Sequence, residues 1–237
     1  MKHFLVLTLA CLVTATPGRA DTPAATPQKA VLVTGASTGI GRKIAERLAA
    51  DGHFVYAGAR KEADLKELGA IKNVQAVRLD VTDSKDIAAA VEIITKAGRG
   101  LYGLVNNAGV AISGAFADTK DDDFDFVMQV NLYGPYRITK AFAPLIVAEK
   151  GRITIIGSIS GILAPRNEGV YSMSKHAIEA FADSLAAQMA RSACRSALSS
   201  PATTIRRSAR APPNASAWIR ASAIVRITSH RTKSPKR

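Results

Sequence analysis

The chain has 237 residues and a formal net charge of +13 at pH 7, but this charge is unevenly distributed. Residues 191–237 contain eleven Lys and Arg and no Asp or Glu, so residues 1–190 contain 21 basic and 19 acidic residues. A nearly neutral main part excludes a nucleic-acid-binding domain built on a basic surface, and the length suits one α/β domain with a sizeable core.

The N-terminus has the pattern of a secretory signal peptide. Residues 1–3 make a basic start, residues 4–15 are mostly apolar, and small residues lead up to Ala20. We predict that residues 1–20 are removed, that the mature chain is exported or periplasmic, and that residues 21–28 form a linker. The apolar run is too short for a comfortable transmembrane span, so the mature chain has no stable membrane span. An uncleaved anchor and a cytoplasmic location are the alternatives.

A glycine-rich segment follows the linker. An apolar run at residues 30–33 leads to Gly35, Gly39 and Gly41, and a helical pattern begins directly afterwards. This order predicts a strand, a tight turn and the start of a helix. Glycine lets the backbone approach a pyrophosphate closely, and a helix N-terminus offers unpaired N–H groups and a positive dipole end. The segment therefore predicts a nucleotide-binding turn.

A second predicted strand, residues 54–59, ends at Arg60, about twenty residues beyond the glycines, where cofactor specificity is commonly set. An acidic residue here would bind the ribose 2′-hydroxyl of NAD, whereas a basic residue would bind the 2′-phosphate of NADP. Because the position holds Arg60 and no acid, the sequence favours NADP(H), with NAD(H) as the alternative.

The pattern of strand followed by helix then continues along the chain. Further strands are predicted at residues 74–79 and 101–105, and a long helix at residues 122–147. Such alternation predicts a Rossmann-type doubly wound parallel sheet with helices on both faces. Functional loops should then lie at the C-terminal ends of the strands.

Tyr171 and Lys175 lie one turn apart in a helix predicted at residues 169–190, so they share a helix face. A free tyrosine has a pKa of about 10 and is a poor proton donor or acceptor at neutral pH. A nearby positive charge favours the phenolate and so lowers that pKa. The pair therefore predicts a proton-transfer site.

These segments together resemble the short-chain dehydrogenase/reductase family over residues 29–190. The motifs that carry the resemblance are, in chain order, residues 34–41 (Thr-Gly-Ala-Ser-Thr-Gly-Ile-Gly), Asp80-Val81, residues 106–109 (Asn-Asn-Ala-Gly), Asn131, Ser158 and Tyr171-x-x-x-Lys175. The resemblance implies hydride transfer between a nicotinamide cofactor and the carbon of an alcohol or carbonyl substrate.

The resemblance also implies roles for individual residues. Tyr171 would move the proton on the substrate oxygen, and Ser158 would donate a hydrogen bond to that oxygen. Lys175 would bind the nicotinamide ribose and lower the pKa of Tyr171, while Asn131 would position a water for proton relay. The implied cofactor-binding residues are Gly35, Ser37, Thr38, Gly39, Ile40, Gly41, Arg60, Asp80, Val81, Asn107, Ala108, Gly109, Tyr171 and Lys175.

Other implications concern metals, partners and substrate. No metal is expected. The family commonly forms dimers or tetramers through the helices at residues 122–147 and 169–190. The substrate would be a small molecule chosen partly by residues 162–169, and steroids, retinoids, short ketones and sugars are all compatible with the sequence.

The family pattern breaks after residue 190. A sixth strand, a Pro-Gly loop over the nicotinamide, a substrate-covering segment and a seventh strand are expected, and none is recognisable in residues 191–237, which are rich in Ser, Ala, Arg and Pro. Suitable codons for residues 192–204, read one frame over, permit Gly-Val-Gln-Val-Ser-Val-Val-Glu-Pro-Gly-Asn-Tyr, an apolar alternating strand followed by Pro-Gly. We therefore predict a frameshift near residue 192.

This frameshift has consequences for folding and function. With the C-terminal strands missing or disordered, the sheet would lose a paired edge and part of an apolar face. We expect the chain as written to be poorly folded or inactive, and a frame-restored chain to be an oxidoreductase. A non-catalytic nucleotide-binding remnant is the main alternative. A protein that binds anionic polymers through its basic tail is another.

Overall fold

The structure is a computed structural model that describes residues 28–190 and a strand at residues 195–199. The strands are β1 (Ala30–Val33), β2 (Phe54–Ala59), β3 (Val74–Arg78), β4 (Gly103–Asn106), β5 (Arg152–Ile156) and β6 (Arg195–Ser199). The α-helices are α1 (Gly39–Ala50), α2 (Glu62–Gly69), α3 (Ser84–Lys96), α4 (Asp121–Met128), α5 (Gly134–Ala148) and α6 (Gly169–Ala190).

The described strands form one parallel sheet in the order β3-β2-β1-β4-β5-β6. Chain order reverses between β1 and β4, and such a switch point opens a crevice at the carboxyl ends of the strands. The predicted fold class, a Rossmann-type doubly wound parallel sheet, is confirmed.

Two apolar clusters hold the helices on the sheet. In β1, Leu32 belongs to one cluster and Val31 and Val33 to the other, because successive strand residues point to opposite faces. The Leu32 cluster includes residues of α3, α5 and α6, and the other includes residues of α1 and α2. The sheet is therefore apolar on both faces, as a parallel sheet requires.

The long helix predicted at residues 122–147 is interrupted. A π-helical turn, Gln129–Tyr133, separates α4 from α5, and Pro135 lies at the start of α5. Proline has no backbone N–H, so the carbonyl of Asn131 loses the donor that a continuous α-helix would provide. The segment predicted as a helix is helical throughout, but it has a π-helical turn at the position of a candidate catalytic residue.

A sixth strand is present where the sequence analysis recognised none. β6 pairs in parallel with β5, with Ile153 opposite Ser196 and Ile155 opposite Leu198. Backbone N–H and C=O groups make the ladder, so a strand can form without a clear apolar alternation. The sheet thus extends past the domain boundary predicted at residue 190.

Several predictions fall outside the described residues. These are the signal peptide at residues 1–20, nearly all of the linker at residues 21–28, and most of the basic segment at residues 191–237, including its predicted frameshift. Within the described part of the chain, no helix combines the length and apolarity needed to cross a membrane.

Candidate active site

An open cleft of about 370 Å³ lies at the carboxyl ends of the central strands. Ten of the predicted cofactor-binding residues line it: Gly35, Ser37, Thr38, Ile40, Arg60, Asp80, Val81, Asn107, Ala108 and Gly109. Sequence reasoning missed four further lining residues, which are Ala59, Leu79, Val110 and Val130. These four are apolar side chains at or beside strand ends and helices, and nothing in the sequence separates them from ordinary core residues.

The three glycines are required for different reasons. Gly35 has a φ of 63°, and a Cβ there would lie 2.8 Å from the Cα of Ala108. Gly41 is packed so closely that a Cβ would overlap the Gly35 carbonyl oxygen and the Asn107 side-chain nitrogen. Gly39 has a φ of 58° but open space around it. Gly35 and Gly41 therefore allow the turn to pack closely against Ala108 and Asn107, whereas Gly39 is needed for its backbone conformation.

Thr34 and Asn107 fasten the glycine turn to the end of β4. Thr34 Oγ1 accepts the N–H groups of Asn107 at 3.0 Å and Ala108 at 3.1 Å. The Asn107 side-chain nitrogen donates to the carbonyls of Thr34 and Gly35, both at 3.0 Å. Thr34 was not among the predicted site residues. Its signal is its position as a polar residue that ends an apolar strand, because such a buried group needs partners.

Arg60 and Asp80 face each other at one end of the cleft. Their side chains approach to 3.6 Å between Nη1 and Oδ2. Burial of the Asp80 carboxyl opposes ionisation, but hydrogen bonds from Thr82 and the charge of Arg60 outweigh it and hold the pKa of Asp80 below its ordinary value. The cleft thus carries a charged pair where the sequence predicts the ribose of a nucleotide.

Lys175 is held beside Tyr171 on α6. Its Nζ lies 5.7 Å from the centroid of the Tyr171 ring and donates to the carbonyl oxygen of Ile156 at 2.9 Å. The side chain is buried, with 6% exposed. Burial lowers the pKa of Lys175 to about 8, although the charge of Glu179 acts in the opposite direction. The predicted pairing of a phenol and a cation is therefore present in the fold.

Ser158 lies just after β5, at the start of a short 3-10 turn, Ile159–Gly161. Its Oγ accepts the backbone N–H of Ser160 at 3.1 Å. The Ser160 hydroxyl in turn donates to Glu168 at 2.9 Å, immediately before α6. These bonds connect the loop of Ser158 to the helix that carries Tyr171.

Asn131 is buried in the π-helical turn, with 2% exposed. Its side chain accepts from the Val110 N–H and donates to the Val110 carbonyl, both at 2.8 Å, and donates to Ser174 Oγ at 3.0 Å. Ser174 Oγ also donates to the Tyr171 carbonyl at 2.7 Å. Sequence reasoning missed Ser174, whose signal was its place between Tyr171 and Lys175.

The cofactor cleft and the residues around Lys175 meet at Gly109. A Cβ at Gly109 would lie 3.5 Å from Asn131 Oδ1 and 4.0 Å from Lys175 Nζ. The fold therefore brings the Asn-Asn-Ala-Gly segment, Asn131 and Lys175 together. The glycine floor, the helix N-terminus beside it and the distal Arg60 fit a dinucleotide lying from Arg60 towards Lys175.

Comparisons with known proteins agree with this geometry. The family model described as short chain dehydrogenase matches residues 29–208. The mitochondrial D-beta-hydroxybutyrate dehydrogenase of Bos taurus is 39% identical over 171 residues, covering 68% of this chain and 50% of that protein. Retinol dehydrogenase 5 of Mus musculus is 38% identical over 165 residues, covering 68% of this chain and 52% of that protein.

A solved structure is also similar. A metagenomic short-chain oxidoreductase in complex with NADP superposes with a TM-score of 0.68 at 32% identity, covering 73% of this chain and 81% of that one. The chain spans about half the length of the two curated relatives described above.

Proposed function

Because the chain belongs to the short-chain dehydrogenase family, we propose that it is an NAD(P)-dependent oxidoreductase that interconverts an alcohol and a carbonyl compound. The observation that carries this proposal is Lys175 Nζ held 5.7 Å from the Tyr171 ring, beside a cleft floored by glycine. The relatives named as hydroxybutyrate and retinol dehydrogenases support a small-molecule substrate of this type.

In the proposed reaction a bound nicotinamide ring supplies or accepts the hydride. The Tyr171 hydroxyl gives a proton to the substrate oxygen during reduction and takes it back during oxidation. Ser158 donates a hydrogen bond to the same oxygen. With a pKa of about 8, Lys175 is mostly protonated at pH 7, and its charge stabilises the Tyr171 phenolate and offers a donor to the cofactor ribose.

We assign the proposed water-positioning role of Asn131 to its backbone carbonyl. The side-chain amide already contacts Val110 and Ser174. The Asn131 carbonyl, in contrast, lacks the usual α-helical donor because Pro135 has no N–H. We propose that this carbonyl holds the water that relays a proton towards Lys175.

The proposed cofactor preference is for NADP(H). Arg60 lines the cleft with its side chain 58% exposed, so its guanidinium is accessible to a 2′-phosphate. The similar metagenomic oxidoreductase was solved with NADP. Binding of NADP⁺ and NAD⁺ to the purified chain, measured by thermal shift and by calorimetry, tests the preference directly.

The substitution Tyr171→Phe, made in the frame-restored chain, tests the catalytic proposal. Loss of a positioned general acid typically costs at least about 10²-fold in rate, so kcat/KM with NADPH and a panel of ketones, steroids, retinals and sugars should fall by at least that factor. The Kd for NADPH should stay within about twofold, since only the phenol oxygen is removed. Tyr136→Phe, at an exposed tyrosine on α5, is the matched control. Full turnover by Tyr171→Phe would refute the assignment.

A second candidate is a non-catalytic nucleotide-binding remnant. The described residues complete the glycine turn and the cleft, while the composition of residues 191–237 departs from the family. We propose a frameshift near residue 192 as the origin of this departure, and independent sequencing across that codon tests it. If the remnant is correct, the chain as written binds NADPH without turnover and the frame-restored chain turns over.

Two further proposals concern location and assembly. Residues 1–20 would direct export, which N-terminal sequencing of the mature protein tests. A homodimer or homotetramer is supported by exposed aromatic residues near and on α5, Tyr133 and Tyr136, each 47% exposed. Light scattering of the purified chain measures the assembly.

A further inference from the structure

Four charged residues form a closed ring at the distal end of the cleft, where β2 and β3 end and α3 begins. The Arg60 and Asp80 side chains lie 3.6 Å apart, and the Asp80 N–H donates to Asp86 Oδ2 at 3.0 Å. Arg78 closes the ring: its Nε lies 3.5 Å from Asp86 Oδ1, and its Nη1 donates to the Arg60 carbonyl at 3.1 Å. We name these residues, Arg60, Arg78, Asp80 and Asp86, the charge ring.

Only half of the charge ring reaches the cleft. Arg60 and Asp80 line it, whereas Arg78 and Asp86 do not. Arg78 and Asp86 instead bind backbone groups, namely the carbonyl of Arg60 and the N–H of Asp80. They therefore fix the relative position of the two strand ends and leave the Arg60 guanidinium available to a ligand.

We propose that Arg78 and Asp86 are positioning residues that set the preference of this chain for a 2′-phosphorylated dinucleotide. The proposal rests on the proposed function, in which the cleft binds a nicotinamide dinucleotide. A guanidinium on a fixed backbone loses less conformational freedom on binding a phosphate than one on a loose loop. Thr82 also contributes to this positioning. Its N–H and hydroxyl donate to Asp80 Oδ1 at 2.8 and 2.7 Å, and these bonds hold the Asp80 carboxylate in place when the Arg60 side chain turns towards a phosphate.

A positioning role and a purely electrostatic role of Asp86 predict opposite effects of its removal on phosphate binding. Removing a negative charge near a phosphate site should tighten phosphate binding if only Coulomb attraction acts. If Asp86 holds the Asp80 backbone and Arg78, its removal should weaken phosphate binding. Arg78→Lys makes a second contrast, since it keeps the charge but loses the planar fork that spans two acceptors.

The experiment measures Kd for NADP⁺ and NAD⁺ by calorimetry, with 2′,5′-ADP and 5′-AMP as smaller probes, on the full chain. In Asp86→Ala, Arg78→Gln and Arg78→Lys, the ratio of Kd for NADP⁺ to Kd for NAD⁺ should rise about threefold to fivefold, in keeping with partly exposed ion pairs. Arg47→Gln and Asp51→Ala are the matched controls, because these two residues form an exposed Arg–Asp pair at the C-terminal end of α1. Their ratio should equal that of the wild type.

The NAD⁺ measurement separates misfolding from loss of selectivity, because both dinucleotides use the same cleft. Retained NAD⁺ binding with a raised ratio supports the proposal. Tighter NADP⁺ binding in Asp86→Ala, full rescue by Arg78→Lys, or an unchanged ratio in all three variants overturns it. A wild type that binds NAD⁺ without preferring NADP⁺ overturns the positioning proposal and the proposed NADP(H) preference but not the proposed oxidoreductase activity, whereas a wild type that binds neither dinucleotide overturns the proposed function as well.

Discussion

Replacing Lys175 with methionine should stabilise the folded chain at neutral pH. Lys175 is 6% exposed, and burial lowers its pKa from 10.5 to about 8, against the opposing charge of Glu179. At about 1.4 kcal/mol per pH unit, this difference costs folding roughly 3 kcal/mol whenever the lysine is protonated in both states. Methionine has a similar shape and carries no charge, so it avoids this cost.

Part of the gain is offset by a lost hydrogen bond. Lys175 Nζ donates to the Ile156 carbonyl at 2.9 Å, and leaving that carbonyl unpaired costs about 1 kcal/mol. A net gain of about 2 kcal/mol remains, which corresponds to a rise in Tm of about 4 to 8 °C for a domain of this size. Turnover should be lost, because the phenolate of Tyr171 loses its cation.

The pH dependence makes the reasoning testable. Below pH 8 the lysine is protonated in both the folded and the unfolded chain, so the whole cost is present. Between pH 8 and 10.5 the folded chain releases the proton first, and the stability of the wild type rises relative to Lys175→Met. The advantage of methionine should therefore be full at pH 7 and gone by pH 10.5.

Thermal unfolding of both chains from pH 6.5 to 10.5, followed by circular dichroism, measures the difference. Lys72→Met, at an exposed lysine before β3, should change Tm little at any pH, as surface substitutions usually do. A Tm for Lys175→Met that lies below the wild type at pH 7 would refute the reasoning. So would an advantage that does not change with pH.

Three further substitutions test close packing, backbone conformation and hydrogen bonding separately. Gly41→Ala should weaken NADPH binding at least about tenfold and destabilise the fold by about 1 to 3 kcal/mol, because the new Cβ overlaps Gly35 and Asn107. Gly39→Ala only strains a positive φ, so it should lower the free energy of unfolding by about 1 kcal/mol. Asn131→Leu should lower the free energy of unfolding by about 2 to 4 kcal/mol, measured in urea, because it leaves the backbone N–H and carbonyl of Val110 unpaired. A decrease below about 0.5 kcal/mol, the usual range for surface substitutions, would contradict this prediction.

The cleft could be predicted from the sequence because its signals are local. Three glycines after an apolar run specify a turn and a helix start without any knowledge of distant residues, and the structure places Gly35 on the cleft floor. Thr34 and Ser174 could not be recognised in the same way. Their importance comes from partners far along the chain, such as Asn107 for Thr34 and Asn131 for Ser174.

Two features of the secondary structure could not be predicted from local patterns. Periodicity in residues 122–147 indicates a helix, but it does not show the π-helical turn Gln129–Tyr133, because one turn of five residues is too short to reveal a change of period. β6 was not predicted, because its sequence lacks the clear apolar alternation that identifies a strand. Its sequence, Arg-Ser-Ala-Leu-Ser, alternates weakly, yet its backbone pairs with β5 in five positions.

β6 changes how the proposed frameshift bears on function. Ile156, whose carbonyl accepts a hydrogen bond from Lys175 Nζ, pairs with Ser199 in β6 and belongs to β5, which pairs with β4 on its other side. The chain as written therefore already provides a strand, β6, that pairs with β5 through backbone groups. Lys175 lies beside Tyr171 in the chain as written, so we expect the proposed frameshift to leave this placement unchanged. We therefore expect cofactor binding and the proton-transfer geometry to survive in the chain as written, whereas under the frameshift proposal closure of the substrate pocket would require the restored frame.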